Sequence, residues 1–423
     1  MRKGLVLALS LVLILSLVTT GTVLARRTVS ILAVWGGAEE EAFLKMLEPF
    51  EAASGIEVLY EGTRDLPTVL RTRLEAGNPP DIVALTGPGM LKDYASQGHL
   101  VDLTDVLHMR EFRDDFGETW IDLASYEGGL FGLFISADIK SLIWYNPKEF
   151  AERGYEPADT WDELMALTER IASDGYAPWS IGLESGAASG WPGTDWIEDI
   201  LLRTAGPEVY DQWIAHEIPW TSDEIREAFD LFGKIARNRD YVLGGTTGVL
   251  MTNFGDAAAP LFTSPPRAFL HRQASFIVSF IREAHPHVVA GEDYDFFPFP
   301  EIDPEIGNPM MGAADMLSMV NDTEESRALI RYLSTPGAQS IWVSELGKLG
   351  VNNRINPNIY PDDLTRRMAE ALADAPVFRF DASDSMPAAV GSGQFWTGIL
   401  DYVRDGNLDR VLESIERAAE DAY

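Results

Sequence analysis

From Thr28 to Leu85 the chain alternates between strand-like and helix-like runs of apolar residues. Thr28 to Val34 is rich in β-forming side chains, and Ala38 to Ala53 places Phe43, Leu47 and Phe50 on one helical face. Gly55 stands just past that helix, where a left-handed cap belongs. Ile56 to Tyr60 predicts a second strand, Leu66 to Ala76 a helix stopped by Gly77, and Asp81 to Leu85 a third strand after the break at Asn78-Pro79-Pro80. A βαβαβ run of this kind predicts a mainly parallel sheet covered by helices.

The middle of the chain is richer in helix. Thr160 with Glu163 has capping-box spacing before a helix to about Ala172, and Thr221 with Glu224 repeats it before Ile225 to Arg237. Between them, Leu183 to Thr194 is rich in Gly, Ser and Ala and reads as a loop, yet it carries Trp191. Asp295 to Pro300 predicts a short aromatic strand and Met310 to Val320 another; Asp322 with Glu325 caps a helix to Leu333. No internal repeat or low-complexity linker divides the chain. The expectation is one α/β body of two lobes interleaved in sequence.

The first residues change the picture of where such a body works. Arg2 and Lys3 precede an apolar run from Leu5 to Val18, and Val23-Leu24-Ala25 forms a small-residue cleavage box. That layout predicts a secretory signal peptide over residues 1–25; the alternative, a membrane anchor, needs a run of roughly 20 apolar residues. The chain has no cysteine, so neither a disulfide nor a lipid-modified N-terminal cysteine is expected, and a periplasmic location follows. Roughly 400 residues beyond the leader exceed one ordinary core and suit two. The formal charge of −33 argues against nucleic acid and anionic membranes as partners.

Catalytic and metal motifs are nearly absent. There is no HExxH, no Walker loop or GxGxxG after a strand, and no GxSxG elbow; the six histidines show no zinc spacing beyond His285-Pro286-His287. No cofactor and no metal are expected. Paired carboxylates for glycoside hydrolysis stay open, because 66 acidic residues supply many accidental pairs.

Several segments then occur in a telling order. Phe50-Glu51-Ala52-Ala53-Ser54-Gly55-Ile56-Glu57-Val58 and Ala76-Gly77-Asn78-Pro79-Pro80-Asp81-Ile82-Val83 are followed by Gly129 to Phe134, Ser141 to Pro147, Thr160 to Leu164, Phe297 to Pro300 and Met311 to Asp315. This series resembles family-1 extracellular solute-binding proteins, the receptors of carbohydrate ABC importers. Phe269 to Phe276 and Phe380 to Pro387 are similar to the α-glucoside-binding branch. The resemblance implies a two-lobe periplasmic-binding-protein fold (type II), with residues 26–137 and 312–347 in one lobe and 138–311 and 348–423 in the other. It also implies a non-enzymatic monomer that binds a neutral oligosaccharide, an α-glucoside, in the interlobe cleft and delivers it to the permease subunits of the membrane. The alternatives are the same fold binding a polyamine, peptide or metal complex, and a secreted glycoside hydrolase.

A sugar site needs aromatic platforms for C–H faces and charged or amide groups for hydroxyls. The resemblance implies Trp396, where the maltose-binding member of the family stacks an aromatic; the alternative is a core tryptophan. It implies Asp138 as a sugar-binding acid, with Lys140 close by, a surface ion pair between the two being the alternative. Arg272 and Gln273 fall in a segment that lines the family's cleft, and Asp315 follows the second crossover. From the residues alone, Trp191 is a candidate platform because it sits in a Gly-rich stretch. Trp35, Glu39 and Glu40 follow the first strand, where ligand loops of α/β folds lie, although the two glutamates also suit a helix N-terminus. Where the maltose-binding member has an aromatic and charges after its Pro-Asp-Ile strand, this chain has Leu85-Thr86-Gly87-Pro88-Gly89, so those contacts are not carried over.

Overall fold

The structure, a computed structural model, describes residues 26–423. The expected signal peptide lies outside the described residues. The opening alternation is present as read: β1 (Thr28–Ala33), α1 (Ala38–Ser54), β2 (Glu57–Gly62), α2 (Leu66–Glu75), β3 (Ile82–Leu85) and α3 (Pro88–Ser96). Gly55 adopts φ 68° and closes α1 through its N–H to the Glu51 carbonyl, a left-handed cap that side chains with a Cβ resist.

β1 pairs in parallel with β2 and β3. Beyond β3 the sheet changes character, because the strand Met310–Met319 returns antiparallel to β3 and also pairs antiparallel with Leu133–Ile139. Phe378–Phe380 completes this sheet, parallel to Met310–Gly312. The second sheet runs in the order Asp295–Pro298, Leu142–Tyr145, Ala268–Arg272, Ala177–Trp179, with only the last pair parallel. The two-lobe α/β fold stands: three of the five pairings in the first sheet are parallel, and one of the three in the second. The strands that carry the chain between lobes enter from the opposite direction, which a βαβ reading of the N-terminus does not capture.

Two hydrophobic cores back these sheets. The first gathers Phe43, Leu91, Phe134 and Trp342; the second gathers Trp179, Trp196, Trp213 and Phe395. The chain passes from the first sheet to the second after Ile139 and returns between Pro298 and Met310. Leu349, Leu364, Met368 and Phe380 also pack in the first core, alongside Leu142, Trp144, Ile277 and Tyr294.

Helix starts follow the sequence signals with small displacements. Thr160 and Glu163 form the full capping box. The helix at Asp223–Ala236 begins one residue later than its Thr221 signal, and Ser222 makes no capping bond. Thr323, not Asp322, caps Glu324–Leu333 by accepting from the Ser326 N–H. Trp191 is corrected more substantially: it opens the helix Trp191–Thr204 instead of lying in a loop. Pro192 beside it is a helix-start signal that the surrounding Gly, Ser and Ala masked. No described helix is long and apolar enough to cross a membrane.

Candidate functional site

Between the two cores lies a cavity of about 180 Å3. Five aromatic side chains line it: Trp35, Trp191, Trp396, Phe254 and Phe276. Each is set by a neighbouring element. Trp35 follows β1, is 3 % exposed, and leans on Phe43 and Trp342 with ring centroids 4.8 and 5.0 Å away. Trp191 packs edge-on to Phe254 at 5.2 Å. Gly190 makes the approach of Trp191 to Trp396 possible: at φ 112°, it brings its backbone so close that a Cβ would stand 2.2 Å from the Trp396 carbonyl.

The charged groups of the cavity are held in two clusters. In the first, the Lys348 ammonium lies 2.9 Å from Asp138, 3.0 Å from Asp315 and 3.8 Å from Glu39. Asp138 and Asp315 come from the paired crossover strands, and the register between those strands shifts at Asp315, a bulge of the kind that re-aims a side chain beside a site. Asp315 also accepts from Trp35 Nε1 at 3.1 Å and from Ser136 Oγ at 2.6 Å. Ser275 donates to the other oxygen of Asp138 at 2.7 Å. Arg64 approaches Glu39 to 3.6 Å. Burial pushes the Glu39 and Asp138 carboxyls above the usual range, with Lys348 pulling each back. Burial also works against the charge on Lys348, yet its three carboxylates outweigh it and raise the lysine pKa.

The second cluster lies under Trp191, whose ring sits 5.4 Å from the Lys140 ammonium. Lys140 pairs with Asp195 at 2.9 Å and with Asp381. Asp195 and Asp199 in turn hold Arg272 at 3.0 and 2.6 Å. Burial lifts the Asp195 carboxyl to about 6 despite Lys140 and Arg272, and lifts Glu198 and Asp384 well above the carboxylate range, where the charge of Asp381 adds to the effect. Asp195, Glu198 and Asp381 stand close enough together to bind a cation. The Lys140 ammonium already occupies that role between Asp195 and Asp381.

Of the residues singled out in the sequence, Trp35, Glu39, Asp138, Lys140, Trp191, Asp315 and Trp396 line this cavity. Glu40, Arg272 and Gln273 do not. Arg272 is turned away to its two aspartates, and Gln273 accepts from the N–H of Ala274 while its carbonyl takes the Trp144 indole. Lys140 pairs not with Asp138 on the surface but with two buried aspartates. Sequence reasoning missed Lys348, Arg64, Ser185 and Phe254. Phe276 and Asp384 lay inside the α-glucoside-like stretches but were not singled out.

Two of the residues that line the cavity carry a buried side-chain donor without a partner among the described residues. The Trp396 indole N–H and the Ser185 hydroxyl are both buried and unpaired. Four of the five lining carboxylates, by contrast, meet a lysine: Glu39, Asp138 and Asp315 at Lys348, and Asp381 at Lys140. The arrangement is an aromatic-walled chamber in which five carboxylates meet three cations, Arg64, Lys140 and Lys348, beside two unpaired neutral donors.

Such a fold and chamber define a two-lobe binding protein. The match of residues 36–340 to the bacterial extracellular solute-binding protein model places the chain in that family, to which it belongs. The osmoprotective compounds-binding protein GgtB of Synechocystis is 44% identical over 393 residues, covering 93% of this chain and 92% of that one. The alpha-glucosides-binding periplasmic protein AglE of Rhizobium meliloti is 40% identical over 401 residues, covering 93% and 87%. Among solved structures, a chitin oligosaccharide binding protein superposes with a TM-score of 0.80 at 20% identity, covering 93% of this chain and 98% of that one. The bacterial solute receptor AcbH gives 0.79 at 20%, covering 94% and 98%. The family and these relatives are binding proteins of transporters, not enzymes.

Proposed function

We propose that the chamber binds a neutral glucoside, an α-glucoside in the first instance, and that the loaded form is delivered from the periplasm to the permease of an ABC importer. The observation that carries the reading is the pairing of three indole platforms with two unpaired neutral donors, Trp396 Nε1 and Ser185 Oγ. A sugar offers both complements at once: C–H faces for the indoles and oxygens for the donors. Four of the five lining carboxylates are already paired with a lysine, which argues against a polyamine, whose ammonium groups would need free acids. The name of AglE, for alpha-glucosides, supports a glucoside, while that of GgtB, for osmoprotective compounds, leaves the particular solute to experiment. Closure of two lobes on such a ligand is a hinge transition that binding energy shifts toward the closed state.

The test is a fluorescence and melting titration with trehalose, sucrose, maltose and maltotriose. At least one is expected to change indole emission and raise the melting temperature through mass action. No response to any of them, alongside a response to spermidine or a peptide, would replace the carbohydrate with that ligand.

A further inference from the structure

One helix carries a line of buried charge that the cavity does not account for. The helix Trp191–Thr204 places Asp195, Glu198, Asp199 and Arg203 at i, i+3, i+4 and i+8, which is a single face. All four are at most 1 % exposed, and none of them lines the cavity. A well-packed apolar face would often be as stable, because taking charges out of water is costly even when they pair. Buried ionic groups suit a different task, that of fixing one arrangement of the segments they join.

The segments joined here are the ends of three strands of the first sheet. Lys140 and Ser141 follow Leu133–Ile139; Lys140 Nζ donates to Asp195 at 2.9 Å and Ser141 Oγ to Asp199 at 2.6 Å. Asn308 and Pro309 precede Met310–Met319. The Arg203 guanidinium donates to Asn308 Oδ1 at 3.1 and 2.8 Å and to the Pro309 carbonyl at 2.7 Å. Ala382 and Ser383 follow Phe378–Phe380, and their N–H groups donate to the Glu198 carboxylate at 2.9 and 3.3 Å. Lys140 also pairs with Asp381, and Ser141 Oγ accepts from the Met311 N–H at 2.9 Å, so the three segments are tied to one another as well. At its first turn the same helix carries Trp191, a wall of the cavity. About 18 Å of helix, at 1.5 Å per residue, separates Trp191 from Arg203.

We infer that the charged face of the helix Trp191–Thr204 is a hinge clamp, which grips the three segments where the chain enters or leaves the first sheet and sets the angle between the lobes. Asp195, Glu198, Asp199 and Arg203 are positioning residues: they hold the lobes where the indoles of the cavity converge. Loosening one grip spreads the molecule over arrangements that do not form the cavity, and the affinity falls with the fraction lost. The clamp does not depend on the chemistry of the ligand, whereas its effect on sugar affinity rests on the carbohydrate reading.

Asn308 offers the mildest test. It is exposed, lies outside the cavity, and its truncation leaves Arg203 paired with Asp199. The chain has no cysteine, so spin labels on Glu75→Cys in α2 and Glu169→Cys in the helix Trp161–Ser173, both exposed positions, report the distance between the lobes. Pulsed electron resonance on the sugar-free protein and calorimetric titration with trehalose, sucrose and maltose compare the unaltered chain with Asn308→Ala and Asn308→Asp. Asn308→Ala is expected to broaden the distance distribution and to weaken the sugar that binds about three- to tenfold. The melting temperature should fall by no more than about 2–4 °C. Asn308→Asp keeps an acceptor for Arg203 and is expected to restore both the distribution and the affinity. An unchanged distribution in Asn308→Ala overturns the clamp whether or not a sugar binds. So does a broadened distribution with unchanged affinity, a larger fall in melting temperature, or a loss that Asn308→Asp does not restore. If no sugar binds any of the three chains, the carbohydrate reading falls and the distance distributions alone decide the clamp.

Discussion

Lys348 is the residue on which the geometry of the chamber's first wall depends. One ammonium, 4 % exposed, is shared by Asp138, Asp315 and Glu39, which come from three separate segments. Removing one partner of a buried ion pair leaves its counter-charges uncompensated, at a cost of about 3–5 kcal/mol. Lys348→Met should therefore lower unfolding stability by about that amount in a urea titration; a change below about 1 kcal/mol would show that water or relaxation screens the cluster. Trp396 carries the complementary test on binding. Its replacement by Ala should weaken the ligand by more than about 1 kcal/mol, as truncated aromatic anchors commonly do, with sugar-free stability changing less than affinity. Trp396 was legible because the resemblance placed an aromatic there. Lys348 was not: Asp138 is 210 residues away, and nothing in Gly347-Lys348-Leu349 marks a lysine that three distant acids will enclose. Arg272 shows a different failure. All five residues of its strand are buried, so no alternation says which side faces the cleft.

Among the elements, α3 deserves its glycines. Gly89 has no left-handed strain; its constraint is the 1.9 Å approach a Cβ would make to the Met386 carbonyl. Gly89→Ala must push α3 away from the helix Ala382–Ser385, which joins the second core. A cost of about 1–3 kcal/mol is expected from such overpacking, together with weaker ligand binding; full stability and full affinity would mean the contact yields freely. The departure at Leu85-Thr86-Gly87-Pro88-Gly89 was visible in the sequence, but its purpose was not, because close backbone packing leaves no periodic trace. The opening βαβαβ run was legible for the opposite reason: amphipathic helices and capping glycines are local signals. The antiparallel return of Met310–Met319 is a long-range pairing, and the local pattern of that strand carries no direction.

At the scale of the whole molecule, charge and burial act together. A chain with a formal net charge of −33 repels itself at neutral pH. Burial raises the Glu39, Asp138, Glu198 and Asp384 carboxyls and lifts Asp195 to about 6. An acid whose pKa is higher folded than unfolded binds more protons in the native state, so stability falls as pH rises through that window. Asp93 is raised by burial as well, while His271, lowered to about 4 by burial, and His285, lowered by burial and by His287, work in the opposite sense. The melting temperature should thus be higher near pH 5 than near pH 7.5, checked by scanning calorimetry; a steady rise over the same range would contradict the buried clusters. The most direct measurement of the central claim is a crystal structure grown with the disaccharide that binds. The expected density shows one sugar ring among Trp35, Trp191 and Trp396, with the Trp396 indole N–H donating to a sugar oxygen. A bound sugar held outside this chamber, or one leaving Trp396 Nε1 unpaired and its ring uncovered, would contradict the account.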